Sequence, residues 1–155
     1  VNSIMALSSQ GDIGDVWHVD VLKELEFGEE LRRAYTPASS AQRYRQGVLE
    51  LMVKVYPKGK MTSYLASLRP GSRLFVSAPV PTIDLHGWDG LVMIAGGSAV
   101  TVALQICKAV LKEHPIGAAV HLLLCNHTAE DVLYADVFDI LLQKHHDFQL
   151  VHCIS

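Results

Sequence analysis

The chain has 155 residues, half of them hydrophobic and 19% charged, with a formal net charge of −3. That length holds one ordinary domain or two small lobes, and the composition is that of a globular protein with a well-filled core. No apolar run reaches the roughly 18 to 20 residues that a helix needs to span a bilayer, which excludes a membrane-spanning helix within these residues.

The start shows no charged region followed by an apolar one, so nothing reads as a secretion signal. Val1 rather than Met stands first, and the expectation is a cytoplasmic protein with a removed upstream segment, such as an anchor to an intracellular membrane. Cys107, Cys125 and Cys153 are odd in number, lie in apolar surroundings and lack metal-ligand spacing, which predicts small core residues in a reducing compartment.

Residues 31–80 carry nine cations against the single acid Glu50, and residues 81–155 carry three against eight acids. Such confinement suggests an anionic ligand or partner in the first half, with a solvated strand face as the plain alternative. Nucleic acid lacks support, because the cations neither lie on a helix nor alternate with an aromatic platform.

Along the chain, "DVWHVDVL" (15–22), "GVLELMVKVY" (47–56) and "SRLFVSAPV" (72–80) read as strands, rich in β-branched and aromatic residues. The turn clusters "SSQGDIG" (8–14), "PKGK" (57–60) and "RPGS" (69–72) separate them. In this half only "MTSYLASL" (61–68) reads as a helix, so an antiparallel barrel is expected. Within "RRAYTPAS", alternation places Arg33, Tyr35 and Pro37 on one face and Ala34, Thr36 and Ala38 on the other. A guanidinium, a phenol and a hydroxyl so close together can hold a phosphate and cover an aromatic ring. An edge strand with polar ends accounts for the same spacing. "GKMTSYL" sets Gly59, Lys60 and Met61 at the mouth of the short helix, where free backbone amides suit a phosphate.

After the Pro/Gly-rich join "PVPTIDLHGWDG" (79–90) the period changes. A strand (91–95), a helix (98–113), a strand (119–125), a helix (130–145) and a strand (148–154) follow. The strands are continuous apolar runs, as in a parallel sheet covered on both faces, and the alternation predicts a doubly wound α/β lobe. The second helix is expected to bury Leu133, Val137, Ile140 and Leu141, with Thr128 and Asp131 forming a capping box at its start. Gly96 and Gly97 fall between the first strand and helix, where such sheets bind nucleotides, although a tight steric turn explains two glycines equally well. Tyr44 reads as a loop anchor, His18 as a structural strand residue, and His145–His146 as a solvated helix end.

Four segments in this order resemble one family. "RAYTPAS" is similar to the R-x-Y-[ST]-x-x-[ST] flavin motif of the ferredoxin-reductase superfamily. "LMVKVYPKGKMTSYLASLRPGSRLFVSAPV", "MIAGGSAVTVALQI" and "LLLCNHTAEDVLYADVFDILLQKHHDFQLVHCIS" resemble the segments that follow it in NADH–cytochrome b5 reductases. The resemblance implies an antiparallel FAD-binding β-barrel over 1–80, a linker over 81–90 and an incomplete NAD-binding α/β lobe over 91–155. It implies that Arg33 pairs with the FAD pyrophosphate, that Tyr35 packs on the isoalloxazine, and that Thr36 hydrogen-bonds near the reactive flavin nitrogen. Ser39 completes that motif. Val53, Lys54, Val55 and Tyr56 line the flavin site, and Gly59, Lys60, Met61 and Thr62 hold the pyrophosphate. Gly96, Gly97, Ser98 and Thr101 receive NADH or NADPH.

The implied activity is hydride transfer from the nicotinamide to FAD and single-electron delivery to an acidic haem protein such as cytochrome b5. A degenerate relative that keeps the fold as a binding module is the alternative. Departures accompany the match. Ala99 stands where the family has glycine, "APVP" where it has Gly-Pro-x-Gly, and Val16, Trp17 and His18 where it has Gly-Gln-His. The Cys-Gly-Pro-Pro segment does not occur before Ser155. A Cβ at Ala99 matters if the backbone there needs a positive φ.

Overall fold

A computed structural model describes residues 13–85, 87–88, 90–113 and 119–154. Residues 8–12 of the first expected turn, positions 86 and 89 of the join and residue 155 lie outside them. The chain divides into two compact units between Ile83 and Asp84.

The first unit is built around a long strand, β1 (Val16–Glu24), whose burial alternates with period two. It pairs antiparallel with β2 (Glu30–Tyr35) on one side, and with β3 (Phe75–Val76) and then β4 (Val80–Ile83) on the other. The partner changes along β1, and the register shifts between Val16 and Trp17, an irregularity that curves a strand. The result is a barrel-like antiparallel sheet. Ile13, Trp17, Val19, Tyr44 and Leu49 fill its core, and the Trp17 and Tyr44 rings meet edge to face at 5.3 Å.

Three expectations for this unit are corrected. Among the described residues, 47–56 form no strand of two or more residues: they carry single bridge positions, Leu49 and Leu51, the latter paired antiparallel with Pro37. Residues 72–80 contribute only three strand residues, Phe75 and Val76 of β3 and Val80, which opens β4, and β4 reaches into the expected linker as far as Ile83. Tyr44 sits in a five-residue helix, α1 (Ala41–Arg45), which starts because the Ser40 hydroxyl accepts from the Arg43 N–H at 3.2 Å. The helix expected at 61–68 is present as α2 (Lys60–Ser67).

The second unit is a parallel three-stranded sheet, β5 (Gly90–Gly96), β6 (Ala119–Asn126) and β7 (Phe148–Ile154), in the order β5-β6-β7. Helix α3 (Val100–Glu113) connects the first two strands and α4 (Ala135–Lys144) the last two. Both right-handed crossovers step in the same direction, which puts both helices on one face. That face is packed by Met93, Ala95, Val120, Leu122, Leu124, Phe138 and Phe148. The opposite face is uncovered, with Val92 and Ile94 each about three-quarters exposed. Among the described residues both helices lie on one side of the sheet, which agrees with the expected incomplete lobe.

Helix α4 also starts later than expected. Residues 129–131 form a separate tight turn, and Tyr134 adopts φ 59°, a left-handed conformation that breaks a helix. The late start turns the buried stripe, so that Phe138 is buried while Ile140 is 47% exposed. Thr128 provides no side-chain cap. The Glu130 carboxyl is held below its ordinary range, chiefly by its own backbone N–H and then by the Thr128 hydroxyl.

Candidate functional site

The register β1–β2 pairs Val21 with Arg33 and Val19 with Tyr35. Directly paired residues of an antiparallel sheet share a face, so Arg33 and Tyr35 project on the same side as the fully buried Val19 and Val21. Yet Arg33 is exposed and Tyr35 only half-buried, so among the described residues the unit leaves this part of its inner side open. The two side chains feel each other. Partial burial raises the Tyr35 phenol pKa, and the Arg33 charge works against that rise. One Arg33 Nη also donates to the Arg32 carbonyl at 2.7 Å, which steadies the guanidinium over its strand.

Helix α2 lies on that same side. Lys23 shares the face of Val19 and Val21, and its ammonium sits 4.9 Å over the Tyr64 ring of α2. The mouth of α2 is organised by Thr62, whose hydroxyl accepts from the Tyr56 N–H at 3.2 Å and donates to the Gly59 carbonyl at 3.3 Å. The first helical bond runs from the Ser63 N–H to the Gly59 carbonyl. The N–H groups of Lys60, Met61 and Thr62 therefore precede the hydrogen-bonded ladder and mark the positive end of the helix dipole. A Cβ at Gly59 would run into the Thr62 hydroxyl. Met61 itself is buried, so only its main chain is offered outward.

Hydrogen bonds join the two predicted clusters. The Ala38 N–H donates to the Glu50 carbonyl at 2.8 Å, and the Glu50 N–H donates to the Ser39 hydroxyl oxygen at 3.1 Å. Ser39 is 3% exposed, so its oxygen is bound into the fold beside Thr36, which is half-buried. From Leu51 the chain runs on through Val53, half-buried, and then Lys54, Val55 and Tyr56, all exposed. The Lys54 ammonium lies 5.9 Å from the Tyr56 ring centre. Arg32 and Arg43 are taken up in ion pairs with Glu30, Asp20 and Glu50. Part of the basic charge is thus structural, a use that charge counting did not reveal.

In the second unit Gly96 ends β5 and Gly97 has φ 52° with nothing within 4 Å of where a Cβ would stand. Gly97, Ser98 and Ala99 make one tight turn before α3. Thr101 is buried and its hydroxyl donates to the Ser98 carbonyl at 3.0 Å, fixing the turn. The left-handed conformation falls on Gly97 and not on Ala99, so the alanine carries no backbone strain. The Thr128–Glu130 pair near the end of β6 was missed by the sequence reading, which assigned Thr128 to capping with Asp131. Among the described residues no group of three or more His, Cys, Asp or Glu can hold a metal, and His145 serves as the C-terminal cap of α4.

Comparison with known proteins follows the same division. Residues 13–84 match the oxidoreductase FAD-binding domain family and residues 93–155 the oxidoreductase NAD-binding domain family. A NADH-cytochrome b5 reductase-like protein of Arabidopsis thaliana is 34% identical over 129 residues, 79% of this chain and 38% of the relative. NADH-cytochrome b5 reductase 1 of Dictyostelium discoideum is 32% identical over 136 residues, 86% of this chain and 47% of the relative. Among solved structures, the cytochrome b5 reductase domain of Ulva prolifera nitrate reductase superposes with a TM-score of 0.74 at 26% identity, covering 90% of this chain and 60% of that one. The chain thus spans less than half the length of these curated relatives. The chain belongs to the oxidoreductases with an FAD-binding and an NAD-binding domain, and these curated relatives are NADH-cytochrome b5 reductases and their like.

Proposed function

We propose that the protein is a flavoprotein reductase that takes electrons from NADH or NADPH and delivers them singly to a haem protein of the cytochrome b5 type. The observation that carries this reading is the inner side of β2, where Arg33 and Tyr35 share the face of Val19, Val21 and Lys23, and Lys23 in turn meets Tyr64 of α2. FAD fits these residues. Arg33 offers a guanidinium to its pyrophosphate, and the unladdered N–H groups of Lys60, Met61 and Thr62 offer main-chain donors to the same group. Gly59 keeps that mouth open, since a Cβ there would displace Thr62. Tyr35 offers a ring face, with Val53 and Val55 as apolar walls and Lys54 and Tyr56 at the rim. Thr36 supplies a hydroxyl beside Tyr35, and Ser39 holds the segment in place through Glu50. Gly96, Gly97, Ser98 and Thr101 form the turn offered to the nicotinamide dinucleotide, with Gly97 allowing close approach.

When bound, the flavin accepts a hydride equivalent and releases electrons one at a time, which is cofactor chemistry. This chain's residues bind, orient and shield; none is required as a nucleophile or general base. The cations of residues 31–80 left outside ion pairs suit an acidic haem acceptor by charge complementarity. A cytoplasmic setting goes with that acceptor, and among the described residues no helix is long and apolar enough to cross a membrane.

The test is anaerobic reduction of the FAD-loaded chain by NADH and by NADPH, followed by addition of oxidised cytochrome b5. Bleaching of the flavin band and appearance of reduced haem are expected. A bound flavin that neither nucleotide bleaches would overturn the reductase reading.

A further inference from the structure

The geometry points to a two-thiolate binding site for a soft, two-coordinate cation on the uncovered face of the parallel sheet, formed by Cys125 and Cys153, with copper(I) as its ion. The two cysteines are 28 positions apart in sequence, but β6 and β7 pair them directly, Cα partner to Cα partner. On β6 the buried residues are Val120, Leu122 and Leu124, so Cys125 belongs to the opposite face. On β7 Phe148 is buried and Val151 is 58% exposed, so Cys153 shares the face of Cys125. Both are free thiols, one half-buried and one exposed. On the other side of Cys125 the register places Gly96, which has no side chain to fill the row.

The spacing selects the chemistry. Neighbouring strands lie about 4.8 Å apart, and parallel side chains on one face keep roughly that separation. A disulfide needs Cβ atoms only about 3.5–4.5 Å apart, which the strands reach only by closing up. Two metal–sulfur bonds of about 2.3 Å placed end to end reach about 4.6 Å, which matches the strand spacing without movement. A tetrahedral zinc site needs four ligands, and among the described residues no group of even three His, Cys, Asp or Glu is present, which disfavours zinc. Thiolates select soft ions such as copper(I), and the neighbouring apolar surface of Ile94 and Val151 suits an ion that keeps little water. Binding displaces both thiol protons to solvent and leaves the S–Cu–S unit with one negative charge. None of this depends on flavin binding.

The test is an anaerobic copper(I) titration of the reduced chain against bicinchoninate, a coloured competitor. One copper(I) per chain is expected. Cys125→Ser and Cys153→Ser should each raise Kd by roughly two orders of magnitude, while Cys107→Ala leaves it unchanged. In the unaltered chain, copper should shield both Cys125 and Cys153 from iodoacetamide, a readout that no substitution can disturb. Either serine variant holding copper(I) as tightly as the unaltered chain would overturn the assignment. So would full alkylation of both thiols in the copper-loaded protein.

Discussion

A hydroxyl sealed in a core must find a partner, and Ser39 finds the Glu50 N–H. Ser39→Ala removes the partner of that part-buried N–H and should cost about 1 kcal/mol, read as a lower urea midpoint with an unchanged slope. A midpoint equal to the parent's would contradict the role given to this bond. Gly97 makes a complementary case. Its φ of 52° leaves open space for a Cβ, so Gly97→Ala should lose only the conformational cost of about 1–2 kcal/mol. Gly97→Asn should be milder than Gly97→Val in a thermal melt, because asparagine tolerates the left-handed region and a β-branched residue does not. Equal losses for the two would argue for a steric cause. At this scale the sequence was informative about residue types and silent about their use. The motif around Tyr35 named Ser39 as a cofactor residue, whereas its oxygen is bound to the backbone of a segment eleven positions later. The cysteines read alike in sequence, yet only Cys107 is buried while Cys153 is exposed, because Cys107 lies on the packed side of helix α3 and Cys125 and Cys153 lie on the sheet face opposite the buried one.

Cys107 shows how an element sets a residue's chemistry. On the buried face of α3 its thiol pKa is pushed up to about 12 from an ordinary 9.0, chiefly by burial. The folded state therefore favours the protonated thiol. The stability that this contributes is complete below the unfolded value near 9, and it is lost as pH rises toward about 12. Burial raises the Tyr35 and Tyr44 phenols in the same sense. Urea midpoints measured upward from pH 9 should fall, and the fall should be shallower in Cys107→Ala. Parallel curves for the two proteins would contradict this. Elements were legible where burial period and hydrogen bonding agreed, as in β5, β6, β7 and α2. They were not elsewhere: residues 47–56 have strand composition but, among the described residues, form only bridges, and α4 is cut short by the backbone of Tyr134. Neither cause is visible in local composition, since one depends on distant strands and the other on a single residue's φ.

The whole molecule combines a basic, barrel-like unit and an acidic, one-sided α/β unit, matched separately by an FAD-binding and an NAD-binding family. The order of motifs along the chain was enough to read that pairing, because each motif sits where its unit ends a strand or begins a helix. The uncovered sheet face was not readable, since apolar strands look the same whether one face or two are packed. The flavin site proposed beside β2 is tested most directly by titration of FAD with the chain, followed by quenching of flavin fluorescence. The prediction is one FAD per chain, with affinity lowered about tenfold or more in Arg33→Ala and unchanged in Lys108→Ala, a cation of the other unit. A correctly folded chain that leaves FAD fluorescence unquenched, or an Arg33→Ala variant that binds as tightly as its parent, would contradict it.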